Sequence, residues 1–249
     1  MRFDHPTPEQ IPQLRLLWKE AFGDEDAFLD VFFTRAFSEK RSLCATENGI
    51  LLGALYWMDC TAYGRKYAYL YAVATQASHR GQGVNRALME KSHALLEAQG
   101  YAGAILVPAP GLASLYERYG YRYFGGRDCL RVVGEDVPVA VRQLSESQYA
   151  KLRRAYLDDG AVLQEGESLS LLSTQCAFYA GEDFLLTATV KEGVLYGTEL
   201  LGNPEDLGKV LTALGAKSGE VFVPGTAPFA MCLPFGSAKM PTYFAFAFA

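Results

Sequence analysis

The sequence predicts an α/β fold, in which a mixed central sheet flanked by helices is followed by a second, smaller lobe on the same plan. Three features predict it. Strand-like runs rich in aromatic and β-branched residues alternate with amphipathic helical stretches through the first 130 residues. Asn48-Gly49 separates two β-rich runs, and both residues tolerate the positive φ of a tight hairpin. Finally, a hairpin, a helix and a strand recur in the second half. Residues 1–130 and 131–249 are therefore expected to form two domains, the second a degenerate copy of the first.

"RFDHP" reads as a short first strand. Thr7-Pro8-Glu9-Gln10 supplies a cap and a proline at the first helical position, so a helix is expected to run to about Ala21 and stop at Gly23. "DEDAFLDVFFTRAF" restarts with acidic residues in its first turn, where the helix dipole favours them. "SLCATENGILLGALYWMD" is the hairpin, and "KYAYLYAVAT" is a third strand after a turn at Tyr63-Gly64-Arg65. A helix follows from Val84 to about Ala98, closed by Gly100. Then "AGAILVP" is a buried strand, "GLASLYERYG" a short helix and "YRYFG" a strand. Residues 135–141 form a strand or a linker. Later, "FLLTATVKEGVLYGTELLG" is a hairpin turning at Lys191-Glu192-Gly193, and "NPEDLGKVLTALG" a helix capped by Asn203 with Pro204 at its first position. "EVFVPGTAPFAMCLPF" shares Val-Pro and a Pro/Gly/Ala bend with "AILVPAPGLASLYERYG", and the terminal "YFAFAFA" has strand periodicity.

Composition narrows the function. Half the residues are apolar and a fifth charged, as in globular proteins, and a net charge of −5 argues against nucleic acid as a partner. Cys44, Cys60, Cys129, Cys176 and Cys232 are scattered without a CxxC, and the histidines His5, His79 and His93 are dispersed. Reduced thiols, no metal site and a cytoplasmic location are the expectation. The N-terminus lacks a signal-peptide stretch and no run approaches the roughly 20 apolar residues of a membrane span, so no membrane association is expected.

The stretch that carries chemistry is Arg80-Gly81-Gln82-Gly83-Val84-Asn85, which joins the strand end Val73-Ala74-Thr75 to a helix. Glycines at 81 and 83 let a ligand approach the main chain, and the helix start presents unpaired N–H groups with partial positive charge. Together these make an anion cradle, with Arg80 adding charge at its rim. A bare glycine-rich turn is the alternative. No Lys-Ser/Thr follows the glycines as in a Walker loop, and GxGxxG spacing is missing.

In this context the segment resembles the acetyl-CoA-binding segment of the GNAT superfamily of N-acetyltransferases, whose pattern Gln/Arg-x-x-Gly-x-Gly/Ala is matched by Arg80 and Gly83. Asn85 departs from it, placing a side chain where a small residue is usual, so a bound pyrophosphate is expected to sit slightly differently. "ASLYERYGYRYF" is similar to the family's Ala-x-x-Leu-Tyr-x-x-x-Gly-Phe/Tyr block, in which the tyrosine is the general acid; by position this is Tyr116. The resemblance covers roughly the first half of the chain, and implies a GNAT-like sheet followed by a smaller GNAT-like lobe. It implies acetyl-CoA as co-substrate, bound by Val73, Ala74, Thr75, Arg80, Gly81, Gln82, Gly83, Val84 and Asn85, and a primary amine on a small molecule or peptide as acceptor. A phenol of pKa about 10 suits protonation of a departing thiolate at neutral pH. Tyr119, Tyr121 and Tyr123 crowd the same stretch, leaving the assignment open by one turn.

An acceptor amine of pKa near 10 must also lose a proton. Asp59, water and the terminal carboxylate of Ala249 are the candidates. The last follows from a distant resemblance of the two-lobed layout to the enhanced-intracellular-survival type of acetyltransferase. Tyr67, Tyr69 and Tyr71 share one strand face, as core packing or as an acceptor channel. Asp158-Asp159 is a solvated turn or an attraction for a polyamine-like substrate. The second lobe offers Glu205 and Asp206 where a cradle needs glycines, so one coenzyme site per chain is expected, the second lobe shaping the acceptor pocket or a homo-oligomer contact. A non-catalytic acyl-CoA-binding or sensing module is the alternative, and a peptidyltransferase with an aminoacyl donor a third reading.

Overall fold

The computed structural model describes residues 1–248, which group into two compact units. The first comprises residues 1–60, 65–106 and 233–239; the second comprises 61–64, 107–232 and the chain from 240 onward. Residues 107–130 thus cluster with the second unit.

In the first unit, β1 (Arg2–Asp4), β2 (Ser42–Glu47), β3 (Ile50–Ala62), β4 (Arg65–Thr75) and β5 (Gly103–Leu106) lie in the order β1-β2-β3-β4-β5, with the last two residues of β3 belonging to the second unit. The β2–β3 hairpin turns where expected, with Asn48 at φ 51° and Gly49 at φ 79°. Thr7 and Gln10 form a capping box over a 3-10 turn at Pro8–Gln10, after which α1 runs over Ile11–Phe22. With α2 (Asp26–Arg35), α1 packs through a dense group of rings, Trp18 lying 4.6 Å from Phe32 and 5.2 Å from Tyr56. The helix α3 (Val84–Ala98) buries Val84, Leu88, Met89, Ser92 and Leu96. A Cβ on Gly53 would fall 2.8 Å from Ala74 O and 3.3 Å from Val84 Cγ1, so glycine there lets β3, β4 and the first turn of α3 close together.

The second unit contains α4 (Ala113–Arg118), β6 (Arg122–Val133), β7 (Arg142–Leu144), α5 (Glu146–Tyr156), β8 (Leu163–Gln164), α6 (Glu167–Leu172), β9 (Ala177–Ala180), β10 (Phe184–Lys191), β11 (Val194–Gly202), α7 (Leu207–Ala213) and β12 (Ser218–Pro234), whose last two residues belong to the first unit. Its sheet order is β6-β12-β11-β10-β9-β7. The strand β6 belongs here because it pairs along its length with β12, from Val133 with Ser218 to Arg122 with Cys232. The expected succession is present: an antiparallel β10–β11 hairpin, then α7, then β12 parallel to β11.

Of the two alternatives for residues 135–141, the structure has the linker. Three local expectations are corrected. The helix α7 starts at Leu207 behind Asp206, because Asn203 Oδ1 accepts from Glu205 N at 3.0 Å and makes a turn of the Asn-Pro segment. After its Val-Pro, β12 continues as a strand with an irregularity between Gly225 and Pro228, where the first half turns into α4. The alternating C-terminal segment makes one bridge, Tyr243 with Ala161, and is otherwise irregular though buried. Its backbone is satisfied by a side chain: Gln164 Nε2 donates to Phe246 O at 2.7 Å and Gln164 Oε1 accepts from Phe246 N at 3.0 Å.

The core of the second unit encloses an ion pair. Arg153 donates through Nε and Nη2 to the two oxygens of Glu199 at 2.7 and 2.8 Å, and both side chains are almost fully buried. Tyr149 Oη donates to Glu199 Oε2 at 2.5 Å, and Arg153 Nη1 to Val162 O at 3.2 Å. Glu199→Gln is expected to destabilise the fold by about 3–5 kcal/mol, since it strands a buried guanidinium. Denaturant melts of the variant and of Arg153→Met/Glu199→Gln test this. An Arg153→Met/Glu199→Gln pair less stable than Glu199→Gln alone contradicts it.

Candidate functional site

Loop and strand end are built by the first unit. Beyond Thr75 the chain makes a 3-10 turn at Ala77–His79 and reaches Gly83, the N-cap of α3, which has no side-chain cap. Gly81 and Gly83 adopt φ of 75° and 82°, and neither has an atom within 4 Å of an added Cβ. Among the described residues the amides of Gly81, Gln82, Gly83 and Val84 donate to no protein acceptor. These four N–H groups head a fifteen-residue helix whose dipole is positive at this end. The loop is braced elsewhere: Arg80 Nε donates to Thr75 O at 3.2 Å, Gln82 Nε2 to Ser78 O at 3.0 Å, and Ala77 N to Glu20 Oε1 at 3.0 Å. Arg80 is exposed and ties the loop to the strand end, a bracing role that the sequence did not signal.

Two buried polar atoms beside this loop, Thr75 Oγ1 and Gln76 Oε1, have no hydrogen-bond partner. Native interiors rarely leave such groups unpaired without a ligand or water. Ala72, one residue before Val73, is a non-glycine residue at φ 49° inside β4. Such strain concentrates where a strand is re-aimed for function, and no sequence signal marks it. The parallel ladder between β4 and β5 covers only Ala68–Tyr69 against Ala104–Ile105, so the peptide groups from Leu70 to Thr75 have no β5 partner. Free amides at a helix start, beside a strand that parts from β5, fit the diphosphate and amide-bearing arm of coenzyme A.

Asp59 is placed elsewhere in the unit. It accepts from Tyr101 Oη at 2.6 Å and pairs with Lys66 Nζ at 3.0 Å and Arg41 Nη1 at 3.7 Å. Lys66 stands at the start of β4, nine residues of strand from Thr75 or about 30 Å. Asp59 is thus an ion-paired carboxylate at the end of β4 far from the loop. Ala249, the other protein candidate, lies outside the described residues.

Tyr116 belongs to the second unit and is the one buried residue of α4. Gly120, at φ 93°, turns the chain so that Tyr119 N and Tyr121 N both donate to Tyr116 O, at 2.9 and 3.1 Å. Its ring lies 5.9 Å from that of Tyr121 and 6.4 Å from that of Tyr119, and its hydroxyl bonds to no other described residue. Burial, with a smaller effect of Tyr119, pushes its pKa up to about 12. Asp158 is a turn former, accepting from Gly160 N at 2.8 Å, Ala161 N at 2.9 Å and Thr242 Oγ1 at 2.8 Å.

Among the described residues no group of three His, Cys, Asp or Glu side chains is arranged for a metal, and no helix is long and apolar enough to cross a membrane. No curated protein matches the chain. Among solved structures, a GCN5-related N-acetyltransferase from Kribbella flavida is 18% identical with a TM-score of 0.72, over 93% of this chain and 70% of that one. Eis1 from Mycobacterium abscessus is 14% identical with a TM-score of 0.67, over 92% and 66%. A GCN5-related N-acetyltransferase from Sphaerobacter thermophilus is 10% identical with a TM-score of 0.59, over 98% of both chains. These likenesses concern the fold. The family model for the acetyltransferase (GNAT) domain matches residues 2–124, a span containing the cradle and Tyr116. The first half of this chain is a GNAT-family acetyltransferase domain.

Proposed function

We propose that the chain transfers the acetyl group of acetyl-CoA to a primary amine, by direct attack in a ternary complex with Tyr116 as general acid. The observation that carries this reading is the set of four acceptor-less amides at Gly81, Gln82, Gly83 and Val84. Bound there, acetyl-CoA supplies a thioester whose acetyl carbon an amine attacks with release of the thiol. The amides hold the diphosphate. The part of β4 that runs beyond its ladder with β5 orients the arm by hydrogen bonding. Tyr116 gives its hydroxyl proton to the departing sulfur as the carbon–sulfur bond breaks and the new carbon–nitrogen bond forms. The nitrogen releases its own proton to water.

Calorimetry with coenzyme A, followed by thiol release from acetyl-CoA across an amine panel, tests the proposal. Micromolar binding and amine-dependent thiol release are expected. Binding with no release for any amine would favour a sensing module, and no binding would overturn the reading.

A further inference from the structure

The first unit also holds a wall of aromatic rings beside the reacting end of that arm. The following inference rests on the proposed acetyl transfer. An arm running from the cradle back along β4 is bounded by Tyr69, where the β5 ladder begins, so its far end lies near Leu70 to Ala72. Tyr71 is there. Its ring lies 5.5 Å from Trp18, 5.8 Å from Phe32 and 6.1 Å from Tyr69. Trp18, Phe32 and Tyr69 are almost fully buried and make a rigid backing, whereas Tyr71 keeps part of its surface exposed.

A charge is fixed beside this wall. Trp18 Nε1 donates to Asp24 Oδ2 at 2.7 Å, holding the half-buried carboxylate in the turn between α1 and α2. Asp24 borders an open cleft of ≈ 460 Å³ lined by Lys19, Gly23, Asp24, Glu25, Asp26 and Ala27. Lys19, the cation in that cleft, is paired with Asp26 at 2.6 Å, so the cleft is net negative. The Tyr71 hydroxyl is held protonated by burial, by Tyr69 and by the charge of Asp24. Rings backed by buried rings attract a cation through their faces, and a fixed carboxylate strengthens that preference.

We propose that Tyr71, backed by Trp18 and flanked by Asp24, selects the acceptor as a primary amine that arrives as its ammonium on an apolar or aromatic body. The ring faces accommodate the body, and Asp24 draws the ammonium in before it gives up its proton.

The test is calorimetry and kinetics on the full chain loaded with coenzyme A or acetyl-CoA, with phenethylamine, hexylamine and ethanolamine as probes. Phenethylamine and hexylamine are expected to bind at least tenfold tighter than ethanolamine. Tyr71→Leu should raise the KM for phenethylamine about tenfold with kcat within threefold, and Tyr71→Phe should restore it. Asp24→Asn should weaken all three amines several-fold, and it decides the matter should Tyr71→Leu fail to fold. Coenzyme A affinity should be unchanged in each variant. Equal binding of ethanolamine and phenethylamine, no binding of any probe, or an unchanged KM in Tyr71→Leu or in Asp24→Asn would overturn this inference. Loss of coenzyme A binding by the wild-type chain would overturn the transfer reading instead.

Discussion

Gly83→Val is expected to weaken coenzyme A binding at least 100-fold while lowering Tm by only a few degrees. Gly83 sits at φ 82° with nothing within 4 Å of an added Cβ, so a side chain there meets open space and the folded state loses only backbone comfort. A left-handed non-glycine residue costs about 1–2 kcal/mol, which in a chain of this size is roughly 2–8 °C. The open space is where the diphosphate is proposed to sit. Losing the amides of Gly83 and Val84 removes two hydrogen bonds to a charged group, about 1.5–3 kcal/mol each, or roughly 10²–10⁴ in affinity. Gly100→Val separates strain from recognition, because Gly100 has φ 81° and an equally open Cβ position beyond the other end of α3. Calorimetry and thermal melts on both variants should show similar losses of Tm and a loss of affinity in Gly83→Val alone. Equal affinities in the two variants would remove the cradle from coenzyme binding.

Much of the first unit was legible because its signals are local. Asn48-Gly49, the Thr7–Gln10 capping box and the glycines around α3 each encode a backbone conformation within a few residues, and the elements form where those residues stand. The same holds for the succession of hairpin, helix and parallel strand in the second unit. Partnership across long separations was not legible. That β6 pairs with β12, from Val133 with Ser218 to Arg122 with Cys232, depends on which edge is left open, and no short pattern records it. The C-terminal alternation misled for a related reason: an apolar-alternating segment also suits an irregular buried chain when a side chain such as Gln164 replaces the ladder partners. Within the candidate site, the glycines announced the cradle, but the left-handed Ala72 and the unpaired Thr75 Oγ1 are properties of three-dimensional packing. Asp59 illustrates the reverse case. Its carboxylate type matched the role of a base, and only the structure shows it held by Lys66, Arg41 and Tyr101.

Tyr116→Phe is expected to lower kcat by about 10²–10⁴ and to leave the affinity for coenzyme A within twofold. The phenol is the only group of that side chain that can give a proton, and the phenylalanine ring preserves its packing against Tyr119 and Tyr121. The pH profile distinguishes this role from a structural one. With its pKa pushed up to about 12, Tyr116 stays protonated across the working range, so it contributes no basic limb below that pH. In the wild type, kcat/KM should rise with pH towards the acceptor's own pKa near 10 as the free amine accumulates, and should not fall again before about pH 12. Stability should respond in the opposite sense. A tyrosine whose folded pKa exceeds its unfolded value of about 10 stabilises the fold fully below pH 10, and that contribution is lost as pH rises towards 12. Tyr116→Phe should therefore flatten the stability profile between pH 10 and 12 while its kcat stays low at every pH. A variant with unchanged kcat and the same flattened profile would leave Tyr116 as a packing residue and transfer the proton donor's role to another group.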